Sequence, residues 1–371
     1  MIQRIFASLI FLSCLGQLTA QDAAENEKTS VVRKYSNEFL SIGVGARALG
    51  MANSCVATCN DVTSAYWNPS SITFINEDLQ LGAMHAEYFA GIGKYDYLGG
   101  AARINDSSSF GISAVRFGVD DIPNTLDLVD SEGNVRYDRI TSFSVADYAF
   151  LLSYARLSAI HGLRYGANVK VIRRKAGIFA SAWGFGFDAS ARYDMGNWRF
   201  GAVIRDVTST FNAWSFNTEE LEEAFLLTGN ELPENSLELT LPKLIIGGAY
   251  QFNLGDKFGG LAEIDADLTF DGMRNVMVKS DYLSIDPHIG LEFNFRQLVF
   301  IRAGVLNMQY IEDFDGTKYF SLQPNLGMGL KIKRLAIDYA FTDIGDASIA
   351  LYSHVFSLTY AINKIPGKVK L

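Results

Sequence analysis

Glu263, Asp265 and Asp267 put three carboxylates on alternate positions of one short stretch. Hard cations such as Ca2+ gather several carboxylates, so this is the first set to test for a metal. Alternation puts all three on one face of a strand, opposite Ala262, Ile264, Ala266 and Leu268. Same-face strand residues spread along a wall and do not converge on one point. The expectation is that they face a lumen, pair with basic groups such as Arg47, Lys170 or Lys331, and hold no metal. Cys55 and Cys59 lie four apart, on one face if a helix is continuous there. Packed free thiols are the plain reading, and a disulfide is the alternative that an exported location permits. With no histidine nearby they make a poor zinc site. His85, His161, His288 and His354 are scattered, and serine-hydrolase, zincin, dinucleotide and phosphate-loop patterns are absent. The residues predict no metal, no cofactor and no enzyme.

What could position such residues? The chain has 371 residues, 49% of them apolar and 13% aromatic, which is enough for a large folded body. A formal charge of −9 and the lack of any basic run exclude nucleic acid as a partner. At the N-terminus, Arg4, an apolar run from Ile5 to Leu15 and Leu18-Thr19-Ala20 form a signal peptide with cleavage after Ala20. Lipidation at Cys14 is the lesser reading, because the apolar run continues past it. No later stretch reaches the ~18 consecutive apolar residues of a spanning helix. An exported chain of this kind is either soluble or a membrane β-barrel.

Alternation decides between them. In Trp183 to Asp194, Trp183, Phe185, Phe187, Ala189, Ala191 and Tyr193 share one face, and Gly184, Gly186, Asp188, Ser190, Arg192 and Asp194 the other. Similar runs recur along the chain at the ~9–11 residues a transmembrane strand needs. Fourteen strands are predicted: 79–90, 95–104, 108–118, 144–158, 162–177, 182–195, 197–209, 243–254, 257–272, 284–297, 298–311, 321–334, 335–345 and 353–363. Short turns alternate with long loops near 119–143, 210–242, 273–283 and 312–320. Outer-membrane barrels sort their loops in this way, with long loops outside, and a sandwich has no reason to. The fold class is therefore all-β: a 14-stranded antiparallel outer-membrane β-barrel, integral to the outer membrane and surrounded by its lipid.

A barrel of this size leaves a lumen wider than its own side chains fill. Residues 35–75 precede the first strand and are placed to plug it. Ala46 to Ala65 predicts a small-residue helix, broken around Asn53-Ser54 or Asn60-Asp61. Pro69 ends it, and Tyr66 and Trp67 become anchors on the wall. The organisation expected is a signal peptide (1–20), a mature N-terminal tail (21–34), the plug or hatch (35–75), the barrel (76–363) and a C-terminal tail (364–371). Within 210–242, acids accumulate without a single Lys or Arg, and Thr218 caps a helix to about Thr228. Trp214, Phe216, Leu221, Phe225 and Leu226 make this the candidate external loop for partner binding.

"FLSIGVGARALGMANSCVATCNDVTSAYWNPSSITFI" (Phe39 to Ile75) resembles the N-terminal signature of the PorV/PorQ family. The matching positions are Ile42, Gly43, Gly45, Ala46, Arg47, Ala48, Gly50 and Met51, then Tyr66, Trp67, Asn68 and Pro69. Two departures stand out. Ala52-Asn53 replaces a small glycine pair, and Ser70-Ser71-Ile72 replaces Ala-Gly-Leu. The resemblance implies a FadL-like outer-membrane barrel of a Bacteroidetes-type Gram-negative bacterium, serving type IX secretion without catalysis. It also implies secretion-channel or attachment-complex proteins and the C-terminal domains of secreted cargo as partners, met through external loops. The alternative is a FadL-like transporter of hydrophobic small molecules, with a hydrophobic ligand in an apolar cavity.

Overall fold

The computed structural model describes residues 36–363, apart from 127, 130–131, 223–224, 227–228, 314 and 345–351. The expected signal peptide, mature tail and C-terminal tail lie outside the described residues, as does part of the acidic helix near 218–228.

Among the described residues sixteen strands follow in chain order. The first eight are β1 Leu79–Tyr88, β2 Gly93–Asn105, β3 Ser108–Asn124, β4 Thr141–Leu157, β5 Leu163–Ala176, β6 Ala180–Met195, β7 Trp198–Arg205 and β8 Thr210–Phe216. The rest are β9 Ser236–Thr240, β10 Lys243–Leu254, β11 Phe258–Thr269, β12 Ser284–Phe295, β13 Val299–Glu312, β14 Lys318–Ile332, β15 Leu335–Thr342 and β16 Ser353–Ile362. All pairings are antiparallel, and β1 against β16 closes the wall.

Sixteen strands make fourteen staves. β7 pairs with β6 over Ala189–Met195, while β8 pairs with the same strand over Ala180–Phe185. They are one stave interrupted at 206–209, where Asp206 and Ser209 take φ of 56° and 58°. β9 and β10 form a second broken stave, parted at Leu241-Pro242, where proline has no N–H to give the ladder. The closed antiparallel barrel thus has fourteen staves.

Two expectations are corrected here. The strand expected over 197–209 stops at Arg205, and the loop expected over 210–242 shrinks to 217–235. Trp214 and Phe216 accordingly stand on β8, stacked at 6.3 Å. The turns at one barrel end have two to five residues. At the other end lie the long loops, yet 89–92 and 177–179 are tight there too, and the long loop expected near 312–320 shrinks to 313–317. Strands of up to 17 residues exceed what a bilayer needs, so several rise beyond it on the long-loop side.

The two faces of the wall have opposite chemistry. On β6, Trp183, Phe185, Phe187 and Tyr193 are exposed, while Asp188, Ser190 and Arg192 are buried. Lipid solvates the outer aromatic face, and the inner polar face needs partners inside. Trp198 and Tyr250 are cross-strand partners with ring centroids 4.9 Å apart near the short-turn end, at the level of an interfacial girdle.

Residues 36–75 supply the inner partners. They comprise a 3-10 turn (Glu38–Leu40), helix α1 (Ala46–Gly50), helix α2 (Ser64–Trp67) and a 3-10 turn (Pro69–Phe74). The helix expected over Ala46–Ala65 with a break around Asn53-Ser54 or Asn60-Asp61 is reduced to one turn at either end, and Ala52 and Asn53 turn the chain at φ 55° and 65° beside the first of those positions. Asn68 is extended, as Pro69 requires, and its side chain accepts from the Ser70 amide at 3.2 Å.

Candidate functional site

Short helices carry unsatisfied backbone groups at both ends, and in a lumen these need partners from the wall. Asp265 Oδ2 accepts the amides of Cys55 and Val56 at 2.8 and 2.9 Å. Glu263 accepts the Ala57 amide at 2.6 Å and the Thr58 hydroxyl. Plug carbonyls are met in the same way: Ala65 by Asn168, Leu49 by Asn325, Cys59 by Arg192 and Leu40 by Arg205, at 2.7 to 3.0 Å. These partners come from β5, β6, β7, β11 and β14, so the plug is tied around the circumference of the barrel.

This revises the expectation for the acidic triplet. Glu263, Asp265 and Asp267 do line the lumen, but the first two hold plug amides instead of cationic side chains. Asp267 pairs with Lys243 at 2.7 Å. Arg47 pairs with Glu292 at 3.0 Å, Glu292 with Arg302 at 2.7 Å and Arg302 with Asp338 at 2.6 Å. Lys170 lies between Asp188 and Asp206, at 3.0 and 2.6 Å. Among the described residues no group of His, Cys, Asp and Glu is arranged to hold a metal.

Several residues of the plug signature have contacts that explain their type. Gly43 and Gly45 take φ of +100° and +86°, which side chains with a Cβ resist. Trp67 Nε1 donates to the Val44 carbonyl at 2.7 Å, and the Tyr66 hydroxyl donates to that of Leu40. The Ala46 amide donates to Ser357 at 3.0 Å, and Asn68 donates to the Val56 carbonyl at 2.8 Å. Ala48 is buried, and its carbonyl accepts the Asn53 amide at 2.9 Å. Burial opposes the charge on Arg47, but Glu292 and Asp61 outweigh it, so the guanidinium pKa is raised and the group stays charged.

Inward-facing glycines let the plug backbone touch the wall. A Cβ at Gly166 would lie 2.5 Å from the Ser70 nitrogen, at Gly304 2.5 Å from the Met51 carbonyl carbon, and at Gly290 2.7 Å from the Met51 oxygen. Gly50 meets Gly327 in the same manner, with a Cβ on Gly327 placed 3.0 Å from the Gly50 Cα. These wall glycines and the polar partners Asn168, Arg192, Glu292 and Asn325 were not singled out from sequence. Their signal was there, since each occupies the inward phase of its strand.

Cys55 and Cys59 are free and buried, so the disulfide alternative is not what the structure holds. One helical turn joins them, the Cys59 amide donating to the Cys55 carbonyl at 2.8 Å. Burial, then the Cys59 thiol and Glu263, push Cys55 well above the usual thiol range. Cys59 is pushed up by burial to about 11 in spite of Arg192.

The two faces of the plug open differently. Its 36–53 side borders an outer vestibule of ≈ 440 Å³ toward the long loops. Among the described residues Glu38, Asp267, Asp286, Asp343, Lys243 and Arg274 bring charge to it. Above it, Tyr282 (87% exposed), Tyr137 (75%) and Leu226 (71%) stand out on the long loops. Leu221 is buried and Phe225 half-buried, so only Leu226 of that trio is openly displayed.

A family model described as "Type IX secretion system protein PorV" matches residues 23–222. No curated protein matches the chain. Among solved structures, the chain is similar to the P. putida toluene transporter TodX, at 14% identity and TM-score 0.55, covering 87% of this chain and 99% of that one. The CymD monoaromatic hydrocarbon channel follows at 13% identity and TM-score 0.53, covering 87% and 98%. The Ralstonia pickettii toluene transporter TbuX gives 13% and 0.51, covering 86% and 99%. At these identities the likeness extends to the barrel fold.

Proposed function

Because the chain belongs to the family of the type IX secretion system protein PorV, we propose that it is a sealed outer-membrane barrel that docks proteins of that pathway. Its long loops, which face outward in barrels of this kind, would receive C-terminal domains of secreted cargo or components of the secretion channel and attachment complex. The reading includes cleavage after Ala20 and no catalytic role.

One observation carries the proposal. The plug is bonded to the wall through β5, β6, β11 and β14, and acidic and basic side chains stand among the apolar ones that line the vestibule above it. A conduit for greasy solutes should instead offer a mostly apolar cavity leading inward. The exposed Tyr137, Leu226, Met277, Val278 and Tyr282 support docking at the rim, since aromatic, methionine and aliphatic side chains supply the buried centre of protein interfaces. Replacing residues 217–235 by a short Gly-Ser linker tests the reading. The barrel should still fold, and co-purification of secreted proteins or channel components should fall by about tenfold or more, the loss of a central anchor. Undiminished co-purification from barrels also altered at Tyr137 and Tyr282 would overturn it.

A further inference from the structure

Toward the long-loop end, cations on the outward face of the wall differ in company. On β2 and β3, Lys94 lies 3.0 Å from Asp120 and Arg116 lies 3.3 Å from Asp96, so a carboxylate neutralises each. On β5, Arg173 and Lys175 share the outward phase of Tyr165, Ala167, Val169 and Val171, and neither meets a carboxylate among the described residues. Arg173 donates to the Ala182 carbonyl at 3.3 Å, and its guanidinium carbon lies 4.9 Å from the centre of the exposed Trp183 ring. The ladder sets Lys175 opposite Ser181 and Ser181 opposite Ser215, next to the row formed by Arg173, Trp183 and Ala213.

Arg173, Lys175, Ser181, Ser215 and Asn217 line a recess of ≈ 370 Å³ beside the 177–179 turn, and among the described residues no carboxylate borders it. Its depth in the membrane follows from β6. Trp183 and Tyr193 stand ten positions apart on one face of that strand. At about 3.3 Å per residue and a tilt of ~40°, this spans about 25 Å along the barrel axis, the height of an apolar band between its two aromatic girdles. Trp183 therefore marks the outer girdle, and the recess beside it lies at headgroup depth. Toward the bilayer the outward face is apolar, with Phe185 and Phe211 exposed.

We infer that this recess binds the phosphate group of an outer-leaflet lipid. Arg173 and Lys175 supply charge-assisted hydrogen bonds, the Ser181 and Ser215 hydroxyls supply neutral ones, and Phe185 and Phe211 give the acyl chains an apolar surface. Rim cations in general snorkel to whatever headgroups lie nearby. This pair differs in having hydroxyls across the ladder, an indole that holds the guanidinium, and no acid to neutralise it. The inference rests on the outer-membrane setting with long loops outward, and it is independent of protein docking.

The test is native mass spectrometry of the full barrel in detergent, with diphosphoryl lipid A and its phosphatase-treated counterpart added as probes. The phosphorylated probe should be retained more tightly by roughly tenfold or more, the scale of hydrogen bonds to charged groups. Arg173→Gln combined with Lys175→Gln should remove that preference and leave heat-modifiable migration on gels unchanged, since both side chains lie outside the core. Lys318→Gln is the control, an exposed cation near the same rim that pairs with Glu312 at 3.4 Å, and it should keep the preference. Equal retention of the two probes, or an equal loss with Lys318→Gln, overturns the inference and leaves only diffuse rim charge. Inorganic phosphate separates the sources. At millimolar concentration it should not displace the lipid, and displacement would assign the recess to free phosphate and overturn the lipid.

Discussion

Asp265 receives two plug amides through one carboxylate oxygen, and the plug's hold on the barrel is concentrated in contacts of this kind. Asp265→Ala would leave both amides buried without an acceptor, at about 1–3 kcal/mol each. We expect about 2–5 kcal/mol of lost stability in urea unfolding of vesicle-embedded protein. An unchanged midpoint would mean that the plug is held elsewhere. The cysteines give a second residue-level prediction. Their raised thiol pKa values keep them protonated, so maleimide at pH 8 should label Cys55 and Cys59 only after unfolding. The linkage sign follows. Between about pH 9 and 11 the unfolded chain loses a proton that folded Cys59 retains, so stability falls as pH rises through that window. Cys59→Ser should flatten that part of the stability–pH curve, and an identical slope in both proteins would refute the assignment.

At the scale of elements, the wall glycines and the plug backbone are made for each other. Gly304→Ala places a methyl against the Met51 backbone, which cannot give as a flexible side chain could, and should cost about 1–3 kcal/mol. Gly248→Ala is the control, because its methyl would meet only the Phe200 ring at 3.8 Å. Equal effects of the two on thermal unfolding would remove the close-packing account. Much of this scale was legible in the chain. Alternation such as Trp183 to Asp194 placed the staves, because lipid outside and polar lumen inside impose opposite chemistry on successive residues. The stave break at 206–209 was not legible, since nothing local marks Asp206 and Ser209 as left-handed turns. β8 was hidden by the acidic run after it and by its own pattern, which alternates from Thr210 to Ala213 and changes phase at Trp214. The partners of Glu263 and Asp265 were out of reach for another reason. Sequence gives the phase of a side chain but not which loop of a remote plug lies opposite it.

For the whole molecule, the seal proposed above is the property that joins fold to function. A fourteen-stave wall without its plug would enclose a wide polar lumen. In planar bilayers the intact protein should carry no steady current, and deletion of residues 36–75 should open a persistent conductance. A silent deletion variant that still migrates as a folded barrel would contradict the role given to the plug. The most direct test is mass spectrometry of the protein isolated from its own outer membrane in mild detergent, with proteins and small molecules identified in one sample. The account predicts stoichiometric secretion-channel components, or secreted proteins sharing a C-terminal domain. A protein-free barrel carrying apolar small molecules in its lumen would contradict it.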